Sequence, residues 1–204
     1  MSDAFALMNV VGLLAFAIVG SLKGAEADLD LFGVAVLGIL TALGGGIVRD
    51  TLVGQVPLAL RTTTDVLVVL LGVALAVVII RRFGDLRDHP LVVLPDAVGL
   101  AAFAATGASV GHEAGLTPFG IVVLAALTAV GGGSLCDLLL ARVPVVLRED
   151  FYATPAVIGG VAFWLGVSVG IPVGIATIGC AVLVLALRLL ALRRGWRLPR
   201  LPTV

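Results

Sequence analysis

The 204 residues are 60% hydrophobic and 13% charged, with 13 basic side chains balanced by 13 acidic ones, and the mean hydropathy is +1.21. An ordinary soluble domain is about a quarter charged, so this composition excludes a water-solvated globule, and the balanced charge offers no overall field for nucleic acid or an acidic partner. Apolar stretches of about 20 residues recur between short polar breaks, the length of helix that a bilayer core requires, whereas the alternating strands of a membrane β-barrel do not occur.

In chain order the apolar runs predict seven transmembrane helices, at residues 5–22, 31–53, 63–80, 91–109, 118–140, 152–170 and 171–192. Asp3 precedes the first run and no Lys or Arg does, so a cleaved secretory signal is not expected. The sixth and seventh runs meet at Gly170, Ile171 and Pro172, where a tight turn is required. If the helices alternate, Lys23, Arg81, Arg82, Arg87, Arg142, Arg148, Arg188, Arg193, Arg194, Arg197 and Arg200 share one side, and only Arg61 lies in a loop on the other. The positive-inside rule then puts the C-terminus in the cytoplasm and the N-terminus outside, in a plasma (inner) membrane.

The first and second halves repeat without a gap. Gly12 pairs with Gly99, Phe16 with Phe103, Gly20 with Gly107, Glu26 with Glu113, Thr41 with Thr128, Asp50 with Asp137 and Pro57 with Pro144, each 87 residues apart by subtraction. Apolar composition produces Leu and Val coincidences but does not put a Gly triplet, an Asp and a Pro in register. The reading is a single domain over 1–204, with one repeat at about 5–82, a second at about 91–170 and an extra helix at about 171–193. Three crossings per unit is an odd number, so the second copy enters the membrane from the opposite side. Inverted repeats of this kind are common among proteins that move solutes.

Within the second and fifth runs stand Gly44, Gly45 and Gly46, and Gly131, Gly132 and Gly133. Each interior Gly costs a helix about 1 kcal/mol against Ala, so the triplets predict either a kink that frees carbonyls toward an aqueous cavity or close helix packing. Beyond each triplet comes an aspartate, Asp50 or Asp137, and Arg49 precedes the first. Intramembrane charges face a water-filled path or a partner. Arg49 and Asp50 are neighbours on the helix and are expected to point apart, so Arg49 is expected to reach Asp137 or the opposing carbonyls, either lining a cation path with the two carboxylates or locking the repeats together by a salt bridge. Asp65 and Asp96 read as helix N-caps, as do Thr62, Thr63 and Thr64. Lys23, Glu26, His112 and Glu113 occupy equivalent connections and suit either pore mouths or solvated loops. Cys136 and Cys180 read as small buried hydrophobes, Trp164 and Trp196 as packing and interfacial anchors. His89 and His112 lack partners at zinc-ligand spacing, and neither a phosphate-binding loop nor a serine nucleophile motif occurs. No enzyme and no cofactor is expected.

GGGIVRD followed by VPLALR, and GGGSLCD followed by VPVVLREDFYATP, resemble the duplicated motif of the prokaryotic trimeric intracellular cation (TRIC) channel family, part of which has also been labelled as glycine transporters. The resemblance covers nearly the whole chain. It implies a homotrimer in membrane lipid, each subunit with its own hourglass pore, lined by the kinked second and fifth helices and passing K⁺ and Na⁺. Cys136 stands where that motif often has Arg. A passive monovalent cation channel is therefore expected, with a secondary transporter of a small amino acid such as glycine as the alternative.

Overall fold

A computed structural model describes residues 2–83, 90–148 and 151–196. Its elements are helical throughout: α1 Asp3–Glu26, α2 Leu31–Leu52, a 3-10 turn Leu58–Leu60, α3 Thr63–Phe83, α4 Pro90–Glu113, α5 Pro118–Leu139, the four-residue α6 Val145–Arg148, α7 Thr154–Ser168 and α8 Val173–Arg194. Six of these helices are long and apolar enough to cross a membrane. The sixth run yields the shorter α7, which at about 1.5 Å per residue reaches only some 22 Å. It starts late because Pro155 favours the first helical turn, where its missing N–H is no loss.

Side-chain caps set the starts of three helices. Ser2 Oγ accepts the Phe5 N–H, Asp30 Oδ1 the Gly33 N–H, and Thr117 Oγ1 the Gly120 N–H. Asp30 and Thr117 are again 87 apart. Two helices run further than hydropathy alone suggests. α1 continues through Lys23 to Glu26, and α4 through His112 to Glu113, so these residues are helical and not in connections. Polar partners inside the bundle let the helices extend past their apolar runs, as the site shows below. Arg87, His89, Arg197 and Arg200 lie outside the described residues.

α1 and α4 form the centre. Phe16 and Phe103 meet edge to face with centroids 5.2 Å apart, and each ring lies against the other helix's glycine, Phe103 on Gly12 and Phe16 on Gly99. Such a pair adds about 1 kcal/mol beyond its burial. α2 packs on α1, α5 on α4, and α8 on α4 and α7. Cys136 and Cys180 are buried and unoxidised, as their apolar setting suggests.

α2 and α5 cross at the triplets. A Cβ on Gly45 would strike the Thr128 carbonyl oxygen, one on Gly132 the Thr41 carbonyl oxygen, and one on Gly131 would stand 3.3 Å from Gly45 Cα. The partners run 41 with 132 and 45 with 128, so the two helices are antiparallel. Both are continuous helix through their triplets, and of the two readings of the triplets close packing is the one with contacts behind it. Gly44, Gly45, Gly131 and Gly132 serve close approach, the neighbouring helix occupying the space a side chain would take, whereas Gly46 and Gly133 meet nothing nearer than Arg49 Nη2 at 3.7 Å and Tyr152 Oη at 3.8 Å.

The triplet positions are therefore not equivalent. Gly45→Ala should destabilise the protein by about 1 to 3 kcal/mol through overpacking against backbone. Gly46→Ala should be neutral or slightly stabilising, since its Cβ meets nothing closer than Arg49 Nη2 at 3.7 Å. Thermal unfolding of the two variants in detergent tests the contrast.

Candidate functional site

The two aspartates share one anchoring scheme. Asp50 Oδ2 accepts the Leu58 N–H at 2.7 Å, and Asp137 Oδ2 accepts the Val145 N–H at 2.9 Å. Each bond spans eight residues and folds the chain back over the helix end. The turn between is also shared: the Gln55 N–H reaches the Asp50 carbonyl and the Arg142 N–H the Asp137 carbonyl, both at 2.8 Å. Gly54 closes the first turn at φ 72° and Ala141 the second at φ 52°, a left-handed setting that costs Ala about 1 kcal/mol and Gly little.

The remaining carboxylate oxygens take different cations. Arg49 Nε donates to Asp50 Oδ1 at 2.8 Å, and the guanidinium lies 5.4 Å from the centroid of the Phe5 ring. Lys23 Nζ, from α1, donates to Asp137 Oδ1 at 2.8 Å. The expected reach of Arg49 to Asp137 is thus overturned. Asp50 and Asp137 sit at the C-terminal ends of antiparallel helices, so they lie toward opposite ends of the bundle, and the Arg49 side chain folds back on its own neighbour. Lys23 is a half-buried ion-pair partner with 14% side-chain exposure, not a solvated loop charge.

A cavity opens beside each aspartate. That at Asp50 has a volume of about 70 Å³ and is lined by Phe5, Arg49, Gln55, Leu58, Arg61 and Glu113, among others. That at Asp137 has a volume of about 250 Å³ and includes Lys23, Glu26, Val92, Arg142, Val145 and Arg148. Adding 87 to Phe5, Asp50, Gln55, Val56, Leu58 and Arg61 gives Val92, Asp137, Arg142, Val143, Val145 and Arg148, while Glu26 and Lys23 correspond to Glu113 and Val110. The two cavities are one cavity built twice. They differ where the repeats diverge: Arg49 against Cys136, Val110 against Lys23, Gln55 against Arg142. The larger also receives Arg188 and Leu192 from α8, which has no counterpart.

Asp65 and Asp96 do not cap helices. Asp65 is buried and accepts from Asn9 Nδ2 at 3.1 Å, and Asp96, inside α4, accepts from Tyr152 Oη at 2.9 Å. The Tyr152 ring lies under the Arg188 guanidinium at 4.5 Å. Sequence reasoning missed Asn9, Arg142, Tyr152 and Arg188 as members of this polar system. Arg188 carried a signal, being a cation about one turn inside the end of an otherwise apolar run, but it was counted with the terminal arginines. Among the described residues no group of His, Cys, Asp and Glu could hold a metal ion.

A family model described as "Glycine transporter" matches residues 6–82 and again 93–168. The chain belongs to that family. The double match follows the repeat boundaries closely. Among relatives, a UPF0126 membrane protein of Deinococcus radiodurans is 44% identical over 96% of this chain and 92% of its own. The UPF0126 inner membrane protein YadS of Escherichia coli is 36% identical over 94% and 93%. Among solved structures, one described under "Structural basis for conductance through TRIC cation channels" superposes with a TM-score of 0.87 at 37% identity, covering 98% of both chains. The TRIC orthologue from Rhodobacter sphaeroides gives 0.88 at 29% identity, over 96% of this chain and all of the other. This UPF0126 chain is accordingly a multi-pass membrane protein with the fold of prokaryotic TRIC channels.

The ion pairs define which residues act together. Lys23→Met and Asp137→Asn should each destabilise by about 3 kcal/mol, because each strands a charge in the bundle, and a double-mutant cycle should return a coupling of about 1 kcal/mol or more. Arg49→Gln and Asp137→Asn should instead be additive within about 0.5 kcal/mol, as they have no shared partner. Chemical denaturation in mixed micelles checks both cycles.

Proposed function

We propose that this protein is a passive channel for monovalent cations, K⁺ and Na⁺, with one pathway per subunit of a homotrimer in the plasma (inner) membrane. The observation that carries the reading is the pair of equivalent polar cavities at opposite ends of the bundle, each built on a buried aspartate at the end of α2 or α5. Support comes from the similar structures, whose descriptions name TRIC cation channels. The pathway runs along the α2–α5 crossing, past Gly44, Gly45, Gly46, Gly131, Gly132 and Gly133, from one aspartate to the other. Lys23, Glu26 and Glu113 stand at its mouths. The chain is one domain of two inverted three-helix repeats, with α7 closing the second as its third crossing and α8 as the added seventh. The N-terminus is outside and the Asp137 mouth cytoplasmic, as the basic residues near that mouth require. The reading involves no cofactor: K⁺ or Na⁺ passes through, and lipid surrounds the bundle.

Charge explains how such a pathway favours cations while remaining restrictive. A carboxylate at each mouth concentrates cations from bulk water. The paired Arg49 and Lys23 prevent the aspartates from trapping the ion, since conduction requires binding loose enough for release. A second reading, secondary transport of glycine, is favoured by the description of the family model and uses the same inverted repeats to alternate access.

Planar-bilayer recording separates the two. Unitary currents reversing along the K⁺ gradient support the channel, whereas saturable glycine uptake coupled to an ion, without unitary events, refutes it. In the channel, Lys23→Gln should raise unitary K⁺ conductance about twofold by freeing Asp137 for the permeant ion. Asp137→Asn should lower it by a similar factor, read in symmetric KCl.

A further inference from the structure

We propose that the Asp50 mouth binds a small monovalent anion, of the size of chloride, on the Arg49 guanidinium, and that this anion lowers the barrier the guanidinium sets against permeating cations. The binding rests on geometry alone; its effect on current rests on the channel reading.

Arg49 is 2% exposed, the most deeply enclosed cation among the described residues. A guanidinium carries five N–H donors in a fixed fork. Here Nε is committed to Asp50 Oδ1 at 2.8 Å, while Nη1 is buried and has no hydrogen-bond partner among the described residues. Asp50 cannot serve it as well, because its second oxygen is held by the Leu58 N–H at 2.7 Å, a bond that fixes the carboxylate's rotation. Phe5 covers the guanidinium at 5.4 Å from its centroid. Its wall lowers the local dielectric and strengthens any charge interaction inside.

The cavity against Arg49, of about 70 Å³, is roughly twice the space that one water takes in the liquid. It suits one small anion with a water and excludes a large organic one. Gln55 and Arg61 line it too and supply further donors; the opposing charges are Asp50, already paired with Arg49, and Glu113, exposed at the rim. A bare cation site is a poorer fit, because both oxygens of the one buried carboxylate are engaged. The other mouth has Cys136 at the position equivalent to Arg49; it is the more basic of the two, but its Arg142 and Arg148 are exposed to water, which screens them, its Arg188 lies over the Tyr152 ring, and its Lys23 ammonium is bound to Asp137. The anion effect is therefore one-sided.

A cation passing Arg49 meets a positive charge that Asp50 offsets on one flank only. The ion pair is neutral in sum, so an anion on the other flank makes the local charge net negative where the cation passes and turns a barrier into a shallow well. Current should then depend on the anion at the Asp50 side, even though the anion itself does not cross.

Two measurements test this. Purified protein should broaden the chlorine NMR resonance of KCl beyond a micelle control, with the broadening displaced by bromide but not gluconate, and lost in Arg49→Gln and in the charge-balanced Arg49→Gln/Asp50→Asn. In bilayers, replacing chloride by gluconate on the side opposite the C-terminus, at constant K⁺ activity, should lower unitary conductance about twofold or more. The same exchange on the C-terminal side should change nothing. Absence of excess broadening in the unaltered protein overturns the site, as does broadening that survives in a folded variant. Broadening with currents indifferent to the anion overturns the coupling. If no unitary current is seen at all, it is the channel reading that fails, and the NMR arm still decides the site.

Discussion

The structure depends on how closely two antiparallel helices approach at Gly45 and Gly132. A β-carbon on either would fall on a carbonyl oxygen of the other helix, so the separation of α2 and α5 is set by backbone against backbone. Lipid provides no hydrophobic drive between helices, and small residues are how a membrane protein gains dispersion contacts. The crossing brings the Thr41 and Thr128 turns together. Both threonine hydroxyls are turned inward onto their own helices, donating to Leu37 and Leu124 carbonyls at 2.6 Å. The two hydroxyls are thereby satisfied within the seam, and the buried carboxylates stand at its two ends.

At those ends the requirement is to keep a carboxylate in an apolar bundle, where an unpaired charge costs about 3 kcal/mol even on the mildest scale. Both repeats meet half of it identically, with a backbone N–H eight residues on. The other half is solved twice. In the first repeat the cation is local, on the same helix, and leaves no tie to the second repeat. In the second, where Cys136 replaces the arginine, α1 supplies Lys23 across the repeat boundary. One mouth is electrostatically self-contained and the other joins the two halves.

Much of this was legible before any coordinates. The six long apolar helices and their rough extent followed from hydropathy because bilayer thickness sets a length. The duplication followed because Gly, Asp and Pro keep register where aliphatic residues drift. What stayed hidden were side-chain directions. Arg49 and Asp50 are adjacent, and adjacent helical residues do point apart at Cβ. The long arginine side chain can nonetheless curl back and bring Nε to its neighbour, a freedom that spacing rules ignore. Lys23 was discounted because it lay near the end of an apolar run, and nothing in one dimension says that α1 crosses the end of α5. The triplets invited a break because glycine propensity is a local quantity. The packing partners that make the glycines necessary are 83 residues away for Gly45 (Thr128) and 91 for Gly132 (Thr41), by subtraction.

The sharpest evidence of common ancestry within the chain is a bond whose chemistry was exchanged. Asn9 donates to Asp65, and Tyr152 donates to Asp96. Both bonds span 56 residues, and 9 with 96 and 65 with 152 are pairs at the repeat offset. Each repeat therefore ties its first helix to the start of its third by one hydrogen bond at the same place, but donor and acceptor have changed sides. The tie itself is what packing demands, because an unmet buried polar group costs about as much whichever helix carries it. Its polarity is free to vary, and its consequences are not equal. In the first repeat the carboxylate sits on α3. In the second it sits on α4, where it lines the larger cavity, and the phenol that bonds it also supports Arg188 from α8. The added helix thus enters the polar system through a position where the second repeat departs from the first, and its Arg188 adds to the larger, more basic mouth.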